Sequence, residues 1–94
     1  MSIYSFDMDD AIKYGQEGAI MLESIRAWIA KNEAIEIHFY EEKYWIYNFV
    51  DAFGRLFPFW TTGQIRRILE NLIEKKAIMT RNFNGSSFLS LIRE

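Results

Sequence analysis

Residues 61–76 bring together the side chains best suited to chemistry in this chain: Thr61, Thr62, Gln64, Arg66, Arg67, Asn71, Lys75 and Lys76. None is a nucleophile paired with a base. All are hydrogen-bonding or cationic groups, and that set suits recognition. Arg can give two parallel hydrogen bonds to guanine or to a phosphate, and Gln can do the same for adenine. Threonine hydroxyls and the free N–H groups of a helix start suit phosphate oxygens. Lys75, Lys76, Arg81 and Arg93 would add salt-sensitive contacts that carry little sequence information. The competing reading of Arg66 and Arg67 is a solvated helix face paired to Glu70 three or four residues on, worth roughly 0.2–0.5 kcal/mol.

Other candidates read as structure. His38 is the only histidine, and a zinc site needs about four ligands. Asp7, Asp9 and Asp10 lack the glycine and distal glutamate of a calcium loop, and helix capping accounts for them. Glu41 and Glu42 could pose as paired acids, yet adjacent carboxylates on a polar tip read as solvated. Trp28, Trp45, Trp60, Phe57 and Phe59 could stack on bases, but their periodic placement favours a core. With no nucleophile motif and no phosphate-cradling glycine loop, the expectation is a non-enzyme. It needs no metal, no cofactor and no small-molecule substrate.

The elements that would position residues 61–76 follow from periodicity. Asp7 can cap a short helix at about 8–14 that stops at Gly15. A longer helix, about 17–32, buries Met21, Leu22, Ile25, Trp28 and Ile29 at spacings of three and four. Ala34–Asn48 reads as a hairpin, its strands placed at about 35–47 around a Glu41-Glu42-Lys43 tip. Asn48 can cap a helix at about 49–56, which Pro58 ends. Thr61 or Thr62 caps the helix at about 62–75, with Ile65, Ile68, Leu69, Leu72 and Ile73 as its apolar stripe. A second hairpin, about 77–92, turns at Asn84-Gly85.

Composition sets the frame. Ninety-four residues make one domain, 1–94. They are 50% apolar and 17% aromatic, enough for a core without staples. Cysteine is absent, which excludes disulfides and cysteine-ligated zinc. No apolar run is long enough for a membrane span, and the first residues do not form a secretory signal. The expected location is therefore the cytoplasm. The net charge of −2 is uneven: residues 1–34 carry −3, residues 35–58 carry −2 and residues 59–94 carry +3. Only the last third leans towards nucleic acid.

The segment WIYNFVDAFGRLFPFWTTGQIRRILENLIEKKAIMTRNFN, residues 45–84, resembles the winged-helix domains at the N-termini of phage and prophage replication proteins and related small phage DNA-binding proteins. Its marks are a Tyr/Trp-rich strand, Leu56-Phe57-Pro58-Phe59-Trp60, then Thr-x-x-Gln-Ile-x-Arg-x-Leu and a Lys-x-Ala-Ile strand. With the upstream helix the resemblance spans roughly residues 16–84. It implies an α+β winged helix-turn-helix fold, mainly helical, with an N-terminal hairpin at 35–47 and a wing at 77–92. It implies a recognition helix at about 62–75 that binds double-stranded DNA in replication initiation or transcriptional control, inside a bacterial host cell. The contacts would be Thr61, Thr62, Gln64, Arg66, Arg67, Asn71, Lys75, Lys76 and Arg81.

There are departures. The wing tip has no cation beyond Arg81, and the last strand is unusually apolar. Replication proteins of this kind continue into a second domain, so the chain reads as an excised domain or a stand-alone protein. Ile35, Ile37, Ile46, Phe49, Phe88 and Leu89 suggest an alternative: a protein-interaction module on the same scaffold, dimerising or inhibiting a host protein.

Overall fold

The computed structural model describes residues 7–92. Arg93 lies outside them. Asp7 starts the first helix, accepting the backbone N–H of Asp9 at 2.8 Å and of Asp10 at 3.3 Å. Helix α1, Met8–Ala34, is broken at Gly15, where φ is +80° and ψ 164°. A side chain with a Cβ resists that conformation. Sixteen residues of unbroken helix would separate Asp10 from Arg26 by about 24 Å. Instead Arg26 Nη1 lies 2.5 Å from Asp10 Oδ2. The first segment therefore folds back on the second, as the expected stop at Gly15 requires. The hydrogen bond to Asp10 also raises the Arg26 pKa above its ordinary value.

The first hairpin is shorter than expected. Strands β1 (Phe39–Tyr40) and β2 (Lys43–Tyr44) form a two-stranded ribbon, turned by Glu41 and Glu42 at φ +51° and +61°. Ile35 and Ile37 lie before it in irregular chain. Trp45 ends the ladder. Its ring is buried, its backbone N–H donates to the His38 carbonyl at 3.0 Å, and its indole N–H donates to the Tyr40 carbonyl at 2.8 Å. Strand β3 (Ile46–Tyr47) then leaves the ribbon and joins the other sheet.

Helix α2 is Phe49–Leu56. Asn48 holds the N-cap position at φ +54°, but its side chain makes no cap bond; its amide reaches Asp51 at 3.4 Å. Helix α3 is Thr62–Glu74, with Ile65, Ile68, Leu69 and Leu72 buried. Ile73, expected in that stripe, is 38% exposed. Strands β4 (Ile78–Phe83) and β5 (Ser86–Leu91) turn through Asn84 and Gly85, both at positive φ. Pairing begins at Phe83↔Ser86, so β5 starts two residues earlier than its apolar run.

The result is an α+β domain of three helices and two small antiparallel sheets, the larger in the order β3-β5-β4. The core joins α1, α3, Phe53 and Phe57 to Ile46, Ile78 and Leu89 of the sheet. At Gly18 an added Cβ would sit 2.9 Å from Tyr14 Cβ and 3.5 Å from Leu72 of α3, so glycine permits that approach. Asn32, only 2% exposed, donates to the Trp45 carbonyl at 2.8 Å and ties α1 to the end of the ribbon. Among the described residues no helix is long and apolar enough to cross a membrane.

Candidate nucleic-acid interface

Helix α3 begins with a complete capping box. The Gln64 backbone N–H donates to Thr61 Oγ1 at 3.1 Å, and the Thr61 N–H donates to Gln64 Oε1 at 2.8 Å. Thr61, not Thr62, is the cap. Each side chain satisfies a backbone donor that the helix start leaves unpaired. The Gln64 side-chain oxygen is thus engaged, and a bidentate reading of adenine would first have to break the box. Gln64 was expected to read a base; the Thr-x-x-Gln spacing is the signal that its side chain closes on Thr61 instead.

The exposed side of α3 carries Thr62, Arg66, Arg67, Glu70, Ile73 and Glu74. Its two cations are matched by two acids, so the basic lean of the C-terminal third does not concentrate on this helix. Arg66 and Arg67 diverge by the roughly 100° between successive helical residues. Arg67 turns towards α1, where Nη2 lies 3.7 Å from Glu17 Oε1. Lys75, eight residues on, follows the same side, and its ammonium donates to the Lys13 carbonyl at 3.0 Å. Asn71, between them, is half-buried.

Arg66 turns the other way. It lines an open groove of about 520 Å³ with Leu69, Glu70 and Ile73 of α3, Asn48–Val50 at the start of α2, and Thr80, Ser86 and Ser87 of the β4–β5 hairpin. Among the described residues it makes no ion pair. Tyr47 completes the lining, so the groove is a concave strip with one guanidinium, one carboxylate and four hydroxyls among apolar side chains. Thr80, Ser86 and Ser87 were not anticipated. Ser86-Ser87 directly after the Asn-Gly turn was the available signal, since that position sets them at the hairpin tip.

Arg81 is placed elsewhere. Alternate residues of a strand face opposite sides of the sheet. Ile78 and Thr80 of β4 share the core side with Leu89, whereas Met79, Arg81 and Phe83 face the β1–β2 ribbon. There Phe83 lies 5.0 Å from Tyr40 and 5.2 Å from Trp45 between ring centroids. Arg81 Nη1 meets both Glu41 carboxylate oxygens, at 2.7 and 3.3 Å. Lys76 is exposed beyond the end of α3 at φ +62°.

The expected contact surface also changes. Ile46, Phe88 and Leu89 are 0%, 5% and 0% exposed, so they belong to this chain's own interior and offer no surface. Their apolar character reflects the pairing of β3 with β5. Phe49 is half-buried against the core. Ile35 and Ile37 do reach solvent, at 55% and 40%, beside Phe39 at 52%. The stacking candidates divide: Trp45 and Phe57 are buried, Trp28 and Trp60 half-buried against the core, and Phe59 exposed while touching Phe57 and Trp60. No protein-family model matches the chain, and neither does any curated protein or solved structure.

Proposed function

We propose that this chain is a winged-helix domain that binds double-stranded DNA through α3, in phage or prophage replication initiation or transcriptional control. The element order supports the fold: apart from the β1–β2 ribbon, it runs as a helix, the short strand β3, two helices joined by a tight connection, then a hairpin whose second strand, β5, pairs with β3. The single observation that carries the DNA reading is Arg66, exposed on a capped helix and directed into the groove between α3 and the β4–β5 hairpin. A guanidinium there can meet a phosphate or a guanine edge while Thr80, Ser86 and Ser87 meet the backbone. Cytoplasmic location in a bacterial host belongs to the same proposal. In mobility shifts with duplex DNA, Arg66→Ala should weaken binding about tenfold, in line with the roughly 1–3 kcal/mol of a good base contact. Arg67→Ala, which removes a cation already shared with Glu17, should weaken it less. Equal losses, or none, would contradict the assignment of α3.

The second reading is a protein-interaction module, as a homodimer or bound to a host protein. It is favoured by Ile35, Ile37 and Phe39 exposed near one another in sequence, and by the acids that pair Arg67 and Arg81. Light scattering under native conditions checks its dimer form: a monomeric mass across the accessible concentration range would count against it.

A further inference from the structure

We infer that Glu41 masks Arg81, so that the β1–β2 ribbon holds in check the only cation of the β4–β5 hairpin among the described residues. The inference rests on the DNA reading above and adds a regulation of that site. Arg81 sits on β4, an outer strand of its sheet. Its neighbour Thr80 lines the groove that Arg66 enters. A guanidinium on an outer strand can swing round the sheet edge to that groove only when its partner releases it. In the folded chain that partner is the Glu41 carboxylate, which takes Nη1 on both oxygens.

The ribbon is held in place but strained. It is held by the Tyr40–Phe83 and Tyr40–Phe88 ring contacts, by the Trp45 indole on the Tyr40 carbonyl, and by the Ser90 hydroxyl donating to the Tyr44 carbonyl at 2.7 Å. It is strained because Glu41 and Glu42, which make its turn, have φ of +51° and +61°. Left-handed backbone costs non-glycine residues about 1 kcal/mol each. Glu41 therefore presents its carboxylate from a turn that the local chain does not favour. DNA phosphate can compete for Arg81, since an exposed ion pair is worth no more than about 1 kcal/mol.

The test measures duplex binding of the full chain by fluorescence anisotropy at about 50 and 200 mM salt. Glu41→Gln keeps the side chain's length and removes its charge. It should tighten binding at least about threefold and steepen the slope of log K against log salt by about 0.9, the mark of one more neutralised phosphate. In an Arg81→Gln background that slope gain should vanish. Glu42→Gln removes the same charge from the next turn position, which makes no ion pair among the described residues, and should leave the slope unchanged. A gain that persists without Arg81, an equal gain from Glu42→Gln, or no gain would overturn the masking. If wild type binds and Arg66→Ala weakens binding while Glu41→Gln changes nothing, masking alone fails. If no version binds duplex, the DNA reading fails with it. Thermal unfolding of each variant confirms that the compared chains are folded.

Discussion

Arg66 and Arg67 are adjacent and chemically identical, yet the fold gives them different surroundings. Arg67 lies beside Glu17 of α1, while Arg66 enters a groove lined by hydroxyls, Glu70 and apolar side chains. Sequence could read both as exposed, because neither falls on the apolar stripe of Ile65, Ile68, Leu69 and Leu72. It could not read Glu17 as a partner, since fifty residues separate them and only the packing of α1 on α3 joins them. Arg81 escaped for the same reason: Glu41 lies forty residues earlier. Gln64 was legible in part, as its spacing from Thr61 is that of a capping box. The box makes a residue-scale prediction. Thr61→Ala removes one of its two bonds and should lower stability by about 1 kcal/mol, measured by urea denaturation. An unchanged midpoint would mean that the cap does not hold the start of α3.

At the scale of elements, the helices were legible, and the first hairpin was legible in its Glu41-Glu42 tip but not in the extent and partners of its strands. Asp7, Gly15, Pro58 and the Thr61 cap punctuate the chain with residues whose backbone preferences are strong. The Asn84-Gly85 turn belongs to the same class. Between Ala34 and Asn48 such punctuation is missing, and aromatic residues run through what proved to be two separate pairings. Trp45 is the divide: its buried ring and its bonds to the ribbon turn Ile46 and Tyr47 away from Phe39 and Tyr40 and onto β5. The Glu41-Glu42 turn takes the positive-φ geometry that Asn-Gly normally supplies. Glu42→Gly should therefore raise stability by about 0.5–1 kcal/mol, seen as a higher urea midpoint. A lower midpoint would show that the positive φ at Glu42 carries no strain.

Across the whole molecule, charge is arranged differently from its distribution along the sequence. The C-terminal third is net positive, but three of its cations are engaged: Arg67 near Glu17, Lys75 on a carbonyl of α1, and Arg81 on Glu41. The acidic first half and the basic last third thus meet within the fold, and Arg66 is left facing the groove. An α+β fold and its apolar core were readable from apolar periodicity. The pairing of opposite charges across elements was not, because it depends on how α1 and the ribbon pack. The account's central claim is that Arg66 meets DNA phosphate or a base edge. The most direct measurement is the salt dependence of duplex affinity for wild type and Arg66→Ala. The account predicts a linear fall of log K with log salt for wild type, and a weaker affinity with a slope shallower by up to about 0.9 for the variant. Identical slopes and affinities in the two proteins would contradict it.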